Sequence, residues 1–397
     1  MKNTKNLITC AILGASILAA GNVAAEDFLS AKADFRLRYE NITNDDANRT
    51  ADSLTLRTTI SVKSKDINGW SGFVELEDVR SVLGVDSRNA AFPITGQGTP
   101  GFSIIADPET TELDQGYIQY KSDQVTAKIG RQVITLDDHR FIGHVAWRQD
   151  KQTFDAASVV YTPTKEINVT AALVTQRNRI FAEDADLDSN DIFINASYKT
   201  SAGKITAYSY LLDEDETNNT LDTYGVAFRG GKPINDNVSV TYLAEFATQT
   251  SETAAGEFDA DFFRFEGGAA FSGLNAKIGF ESLGSDDGQF GFSTPLATLH
   301  KFNGWTDQFL GTPAVGLEDF YVSLAGKVWG GSWLVRYHDF NAESASETLD
   351  ELGSELELQY TKKFKNGIYS GIKASFYSAD DFAVDEDAVW LWVGKTF

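Results

Sequence analysis

Apolar and polar side chains alternate along most of the chain, beginning at residue 33. In ADFRLRYE, residues 33–40, one face carries apolar and aromatic side chains and the other carries mostly charged ones. The segments LTLRTTISVK, residues 54–63, and NVSVTYLAEF, residues 237–246, repeat this pattern. A period of two is typical of a β-strand with one apolar and one polar face. We count about 18 such segments, each of roughly the 9–11 residues that a tilted strand needs to cross a bilayer.

The connections between these segments alternate between short and long. SKDING, SDQ and TPTKE are short, whereas residues 81–112, residues 133–151 and QRNRIFAEDADLDSND are long. Outer-membrane barrels join their strands by short periplasmic turns and longer extracellular loops. The sequence therefore predicts an all-β fold: a single antiparallel transmembrane β-barrel of about 18 strands, with short periplasmic turns and long extracellular loops.

The chain ends on VWLWVGKTF, an alternating segment whose final residue is Phe397. Chain termini are usually polar and frayed, so an apolar end indicates that neighbouring structure holds it. In a barrel the last strand pairs with the first, which leaves no open sheet edge. We therefore expect this segment to close the barrel, and we expect its terminal aromatic residue to be recognised by the barrel-assembly machinery.

The N-terminus has the features of a secretion signal. Lys2 and Lys5 precede an apolar stretch, residues 7–20, and small residues precede Glu26. This predicts a cleaved signal peptide, residues 1–25, and a barrel domain, residues 26–397, exported through the periplasm to the outer membrane of a Gram-negative bacterium. Lipid attachment at Cys10, the single cysteine, is the less favoured alternative, because little apolar sequence precedes it.

The chain is strongly acidic, with 57 Asp and Glu against 34 Lys and Arg and a formal net charge of −23. Such a surface repels nucleic acid, so no nucleic-acid partner is expected. The acidic runs fall in the long loops, where they suit either lipopolysaccharide with divalent ions or plain solvation. We expect outer-membrane lipid and lipopolysaccharide around the barrel and a small polar solute or anionic saccharide inside it.

The polar faces of the strands predict the lining of a pore, since lining charge sets the selectivity of a channel. Lysine and arginine slightly outnumber carboxylates on these faces. The candidate pore-lining and solute-binding residues are Arg36, Arg38, Arg57, Lys128, Arg131, Arg229, Arg264, Lys277, Arg336, Lys373, Glu266 and Glu355, and further cations of the same faces are Lys32, Lys63 and Lys199. Arginine binds carboxylates with two parallel hydrogen bonds. These arginines form either a track for anions or cross-strand ion pairs that stiffen the wall.

Two long segments, residues 81–112 and 285–316, contain apolar stretches that are unusual for solvated loops. We expect one or both to fold into the mouth and narrow it; the constriction candidates are Phe102, His300, Trp305 and Asp307. Aromatic residues at strand ends, such as Trp70 and Tyr198, predict interfacial belts. For the inward aromatics Trp390 and Trp392, stacking against sugars is the alternative.

The sequence offers little for catalysis. A hydrolase needs a serine and histidine oriented by a third group, and the chain has four histidines. Asp137, Asp138, His139 and His144 form a conceivable metal site, but their spacing matches no known ligand pattern, so a hydrogen-bonded loop is favoured. We therefore expect no enzymatic activity, no catalytic residues, no metal and no cofactor.

Several segments carry motifs of specific spacing. Residues 129–157, IGRQVITLDDHRFIGHVAWRQDKQTFDAA, contain a Gly-Arg-Gln strand followed by Trp-Arg and Thr-Phe-Asp steps. Residues 296–309, LATLHKFNGWTDQF, contain a His-x-Phe-x-Gly-Trp-x-Asp loop, and YHDFNAES and LGSELEL lie at two later strand ends. These motifs resemble those of the alginate-export family of outer-membrane channels. The resemblance implies an 18-stranded channel for anionic saccharides or other small solutes.

The sequence thus predicts a passive outer-membrane channel, a porin, for small or oligomeric polar solutes. Its basic lining favours anionic solutes such as uronate saccharides. The alternative is a barrel whose pore is plugged and whose acidic loops serve surface interaction or adhesion. A barrel hydrolase is the least favoured of the three.

Overall fold

The structure, a computed structural model, describes residues 28–46 and 49–397. The predicted signal peptide lies outside the described residues. In the described part of the chain, no helix is long and apolar enough to cross a membrane.

Eighteen strands form one closed antiparallel sheet, which confirms the predicted architecture and strand number. The barrel strands are β1 (Leu29–Asn44), β2 (Ala51–Ser64), β3 (Trp70–Ser87), β4 (Thr110–Lys121), β5 (Val125–Gln132), β6 (Thr153–Tyr161), β7 (Ile167–Asn178), β8 (Leu187–Lys199), β9 (Lys204–Glu214), β10 (Asn219–Asn235), β11 (Val238–Thr253), β12 (Gly256–Phe271), β13 (Leu274–Leu283), β16 (Leu317–Val328), β17 (Gly331–Asn341), β18 (Glu351–Lys363), β19 (Ile368–Ala379) and β20 (Glu386–Thr396). A small hairpin, β14 (Ser285–Asp286) and β15 (Phe290–Gly291), and two short 3₁₀ helices, Glu183–Ala185 and Leu299–Lys301, lie between barrel strands.

The barrel closes between its first and last strands. β1 pairs with β2 on one side and with β20 on the other, and Leu37 lies opposite Val393 in the register. The terminal Phe397 exchanges backbone hydrogen bonds with Ala33, and its ring packs edge-on against Phe35 at 5.9 Å between centroids. The apolar end of the chain is therefore held in the closing seam, as the sequence predicted.

The alternation of side chains separates the outer surface from the lumen. Phe35, Ile129 and Phe265 point outward and are exposed, whereas Arg38 and Glu40 point inward and are each 1% exposed. Outward apolar residues meet the hydrocarbon of the bilayer, which cannot hydrogen-bond to polar groups. Trp70 and Tyr198 are exposed on the outer surface near the short turns, where aromatic belts are expected.

The polar segment around residues 249–258 forms a tight hairpin and not a long loop, because β11 and β12 continue to a turn of two residues, 254–255. Its polar side chains keep the alternation of the two strands, so polar composition does not end the strands there. The other side of the barrel has the short turns, and the first described residues and Phe397 lie with them, at the periplasmic end.

Candidate functional site

Three loops fold from the extracellular side into the lumen. We name them the first inward loop, residues 133–152, the second inward loop, residues 284–316, and the third inward loop, residues 88–109. The first two bind each other directly: the Gly143 amide donates to the Leu296 carbonyl at 2.8 Å, and the Thr298 amide donates to the His139 carbonyl at 3.0 Å. They therefore form one packed unit across the barrel.

A cluster of buried apolar residues holds this unit against the wall. Phe141 of the first loop lies 5.4 Å from Phe262 of β12 and 6.1 Å from Phe292 of the second loop, measured between ring centroids. Phe309 packs on Phe340 of β17 at 4.6 Å. Aromatic side chains bury large apolar areas, so their presence in these loops explains why the loops leave the solvent.

A buried ion pair links the same unit to the barrel. Arg140 of the first loop makes a bidentate pair with Glu281 of β13, at 2.8 and 3.0 Å, and also donates to Thr294 and Asn303 of the second loop. The Asn303 amide donates to Glu281 and Asp319. The arginine fork satisfies both carboxylate oxygens, which is what a buried pair requires.

The other edge of the first loop is bound by strand β1. Arg36 donates to the Gln149 side chain at 2.9 Å and to three backbone carbonyls, residues 146–148. Arg38 pairs with Glu40 and with Asp107 of the third loop. Arg36 and Arg38, both predicted to line the pore, are thus used to hold the inward loops.

Lys373 of β19 lies in an aromatic cage at the centre of the barrel. Its ammonium nitrogen is 3.8 Å from the ring centroid of Trp305, 4.2 Å from that of Trp147 and 4.9 Å from that of Trp390. Cation–π attraction is strongest where both partners are removed from water, as they are at this buried position. The cage joins two inward loops to two barrel strands.

A histidine connects this cage to a chain of ion pairs. His300 Nδ1 lies 2.7 Å from Asp307, and His300 Nε2 contacts the Lys373 ammonium. Burial, reinforced by Lys373, lowers the pKa of His300 to about 4, so its ring is neutral at pH 7 and accepts from lysine. Asp307 also binds Arg148 at 2.7 Å. Although burial alone would raise it, His300 and Arg148 hold the pKa of Asp307 below its ordinary value.

The second inward loop is also held by Glu355 of β18. Glu355 accepts from the Trp305 and Thr306 amides and from the Thr306 hydroxyl. Arg336 of β17 pairs with Glu357 at 3.1 Å and lies over the Trp305 ring. The predicted residues His300, Trp305 and Asp307 are therefore brought together by β17, β18 and β19, deep in the lumen.

Two more of the candidate arginines bind one carboxylate of the first loop. Arg229 and Arg264 lie 3.1 and 2.8 Å from Asp138. Despite its burial, these arginines hold the pKa of Asp138 well below its ordinary value. Asp137 binds Asn195 and Lys204. Across residues 28–46 and 49–397, no group of three or more ligand side chains is arranged to hold a metal.

Arg131 does not belong to the lumen, which corrects its prediction as a pore-lining residue. It shares a face of β5 with Ile129, which is 64% exposed, and pairs with Asp155 on the outer side of the wall. Its guanidinium donates to the backbone carbonyl of Leu113, another exposed outward residue, which agrees with this position. Lys128 and Arg131 lie three positions apart on β5, so strict alternation places them on opposite faces of the strand.

The remaining predicted charges lie nearer to the periplasmic end of the barrel. Arg57 pairs with Asp34 at 2.9 Å, and Lys277 pairs with Glu266 at 2.8 Å. Phe102 lies in the third loop, half-buried beneath Arg49. Together with Arg38, Arg264 and Arg336, these contacts show that most predicted arginines are already neutralised by carboxylates.

The lumen near the short turns has a different charge pattern. Six lysines point inward in this region, which we name the vestibule: Lys32, Lys63, Lys128, Lys199, Lys327 and Lys363. Within the described chain, none of the six is within ion-pair distance of a carboxylate. Lys128 lies over the Tyr117 ring at 4.5 Å. Asp34, Asp137 and Glu266, which are carboxylates close to this region, already have their own basic partners.

Sequence reasoning missed the anchors Arg140 and Arg148 and the vestibule residues Lys327 and Lys363. The last two share a face with Asp319 and Glu355, so strict alternation was a signal for them. The loop residues had a weaker signal, namely charges interspersed with apolar residues in a long connection.

Comparison with known proteins gives a family and a fold. The family model described as alginate export matches residues 27–278. No curated protein matches the sequence. The barrel is similar to solved structures of OccK9 (OpdG) and of OpdK with vanillate, both from Pseudomonas aeruginosa, each with a TM-score of 0.72 and coverage of 93% of this chain and 98% of theirs, at 13% and 14% identity. OccAB4 of Acinetobacter baumannii has a TM-score of 0.72 at 13% identity, with coverage of 94% and 98%.

Proposed function

The chain belongs to the alginate export family and lies in the Gram-negative outer membrane, and from this premise we propose that it is a passive channel for small anionic solutes. The inward loops narrow the middle of the lumen, and the vestibule on their periplasmic side carries the charge that selects the solute. Carboxylated sugars such as uronates are the solutes that this lining suits best.

The six vestibule lysines are the observation that carries this proposal. A charge that is already paired with the protein attracts a passing ion weakly, because its field is largely cancelled at a distance. The vestibule lysines have no such partner in the described chain, so their field is available to solutes. An anion entering this region replaces part of its hydration by ammonium groups.

The OpdK structure contains vanillate, whose carboxylate is an anion at neutral pH. That barrel is similar in fold to this one, which supports a small carboxylate as solute class. The acidic outer surface is compatible with this, since it lies outside the lumen and is screened within about 10 Å at 0.1 M salt.

The proposal is tested by the reversal potential of single channels in a planar bilayer under a KCl gradient. Wild-type protein is expected to prefer chloride. The triple variant Lys63→Gln, Lys327→Gln, Lys363→Gln is expected to lose most of that preference while keeping its conductance. The matched control changes Lys65, Lys165 and Lys365, which are exposed in periplasmic turns, to Gln. A cation-selective wild type, or equal effects of the two triple variants, would contradict the proposal.

The packing of three loops in the lumen favours a second candidate, a plugged barrel that acts in surface interaction or adhesion. The two candidates differ in conductance. A wild-type barrel that is folded, as shown by its thermal unfolding, and that inserts into the bilayer but passes no current would support the plugged form.

A further inference from the structure

We propose that the vestibule contains a binding site for a ring that carries a carboxylate, on the exposed face of Trp392 beside Lys327 and Lys363. This inference rests on the proposed function and names a place where a solute pauses on its way through. The ligand class is a six-membered ring with an attached carboxylate, either a uronate sugar or an aromatic acid.

The site is a cavity of about 430 Å³ at the periplasmic end of the lumen. It lies between β16, β17, β18, β19 and β20, and the residues that concern the proposal are Lys327, Ser332, Thr361, Lys363, Tyr369 and Trp392. Pockets of roughly 300–1,000 Å³ hold small organic ligands. The cavity therefore has room for one or two rings.

Two aromatic side chains lie flat on the inner wall because glycine faces them on the neighbouring strand. Trp392 lies across Gly371, where a Cβ atom would be 2.1 Å from the indole, and Tyr369 lies across Gly394, where it would be 2.2 Å from the ring. One face of each ring thus covers the backbone, and the other is directed toward the lumen. Any larger residue at Gly371 or Gly394 would displace the ring.

Further contacts fix both rings in place. The Tyr369 hydroxyl donates to Asp34 at 3.0 Å. The edge of Trp147 of the first inward loop packs on Trp392, at 5.3 Å between centroids and 83° between ring planes, and covers part of its lumenal face. The half-buried Trp392 ring still borders the cavity with the part that Trp147 leaves uncovered. Aromatic rings that are already held lose little freedom when a ligand stacks on them, which favours binding. Trp390, two residues earlier, is 1% exposed within the Lys373 cage and offers no such face.

The pairing of the strands places the lysines of the site next to these rings. Lys363 lies opposite Tyr369, Thr361 lies opposite Ser332, and Ser332 lies opposite Lys327. On the lumenal face, the cavity is therefore bordered by the ammonium groups of Lys327 and Lys363, the hydroxyl groups of Ser332, Thr361 and Tyr369, and the indole of Trp392. Lys362 and Ser370, which lie on the alternate face of their strands, also line it. A ring stacked on Trp392 would place its carboxylate toward lysine and its remaining polar groups toward Ser332 and Thr361.

The test is the duration of current interruptions in single channels when a solute is added on the periplasmic side. Glucuronate oligosaccharides and benzoate probe the two sources of a carboxylated ring, and gluconate, an open-chain carboxylate, is the control for ring stacking. Trp392→Ala is expected to shorten interruptions by about tenfold, the scale of one lost aromatic contact. Trp392→Phe keeps a ring face and is expected to retain them.

The lysine requirement is tested by Lys327→Gln with Lys363→Gln, which is expected to abolish interruptions by carboxylates. Lys165→Gln, at an exposed turn position, is the matched control. If only the uronate interrupts the current, the site binds sugars. If only benzoate does, the site binds aromatic acids. If both do, the site recognises any ring that carries a carboxylate. Unchanged interruptions in Trp392→Ala, or equal interruptions with gluconate, would overturn the inference.

Calorimetric titration of the detergent-solubilised barrel with the same compounds separates this inference from the proposed function. If the barrel conducts with chloride preference but binds no carboxylated ring, the proposed channel function is supported and the binding site is refuted. If the barrel passes no current but binds these rings through Trp392, the channel function is refuted and the binding site is supported.

Discussion

The middle of the lumen and the vestibule are both lined by basic side chains, but they use them differently. In the middle, arginines from the wall bind carboxylates, carbonyls and amides of the inward loops, as Arg36, Arg38 and Arg264 do. In the vestibule, lysines such as Lys63 and Lys363 extend into the lumen without an ion-pair partner in the described chain. The same charge therefore serves structure in one region and is available to solutes in the other.

The chemistry of arginine and lysine explains why the two regions use different basic residues. A guanidinium group presents several donors in a planar fork, so it can satisfy buried carboxylates and carbonyls at once. An ammonium group on a flexible stem is strongly hydrated and is less suited to a fixed buried pair. Two lysines in the middle of the lumen depart from this pattern. Lys151 of the first inward loop pairs with Glu75 and Asp114 of the wall, and for Lys373 three tryptophan rings and His300 take the place of water.

The largest effect is expected from removing the anchor of the inward loops. Arg140→Ala leaves the buried carboxylate of Glu281 without its bidentate partner, a loss of about 3–5 kcal/mol in comparable buried pairs. The first and second inward loops should then leave the lumen for much of the time. We expect a larger and noisier single-channel current, together with a lower midpoint of thermal unfolding.

Two further variants sharpen this prediction. Arg140→Ala with Glu281→Ala removes both charges and should recover part of the lost stability, since no charge is then left buried alone. Arg131→Ala breaks a bidentate pair on the outer face, where no loop is held, and should leave the current unchanged. An Arg140→Ala channel with wild-type current would show that the loops are held in place without this pair.

The barrel itself was predictable from the sequence. A period of two marks each strand, and the length of each strand is set by the bilayer, so the strand number and the polar inner face follow from local pattern. The closing seam was also visible, since Phe397 ends an alternating segment. These features depend on residues near one another in the chain or on the two chain ends.

The interior of the barrel was less predictable. The pair of Arg140 with Glu281 joins residues 141 positions apart, and that of Arg148 with Glu40 joins residues 108 apart. No local pattern specifies which charge of a loop meets which charge of the wall. The sequence therefore predicts the first inward loop only as a long extracellular connection. It leaves open whether the arginines that bind this loop form an anion track or cross-strand ion pairs.

Lowering the pH is expected to have an intermediate effect, because it should weaken the packing of the inward loops in the middle of the lumen. In the packed state the pKa of His300 is about 4, whereas an exposed histidine has a pKa of about 6.5. A released loop therefore binds more protons than a packed one in this range. The contribution of His300 to packing is complete above about pH 6.5 and is lost as the pH falls toward 4, by roughly 3 kcal/mol in total.

Single-channel recordings between pH 7 and pH 4 should accordingly show more frequent openings to a larger conductance as the pH falls. His300→Gln has no charge to gain and should respond less. Burial also lowers the pKa of the two histidines of the first inward loop, His139 and His144, that of His144 to about 4, and His139→Gln and His144→Gln separate their contributions. Identical acid responses of wild type and all three variants would assign the response to other groups.

The smallest effect is expected from salt, and it should distinguish the two regions within one protein. Charges in the vestibule face water, so their field falls within about 10 Å at 0.1 M salt and about 3 Å at 1 M. Chloride preference should therefore decline between 0.1 and 1 M KCl. The buried pairs of the inward loops exclude the screening ions, so the frequency of loop openings should stay constant over the same range. If openings also increased with salt, the pairs that hold the loops would have to be open to water, and the contrast between the two regions would disappear.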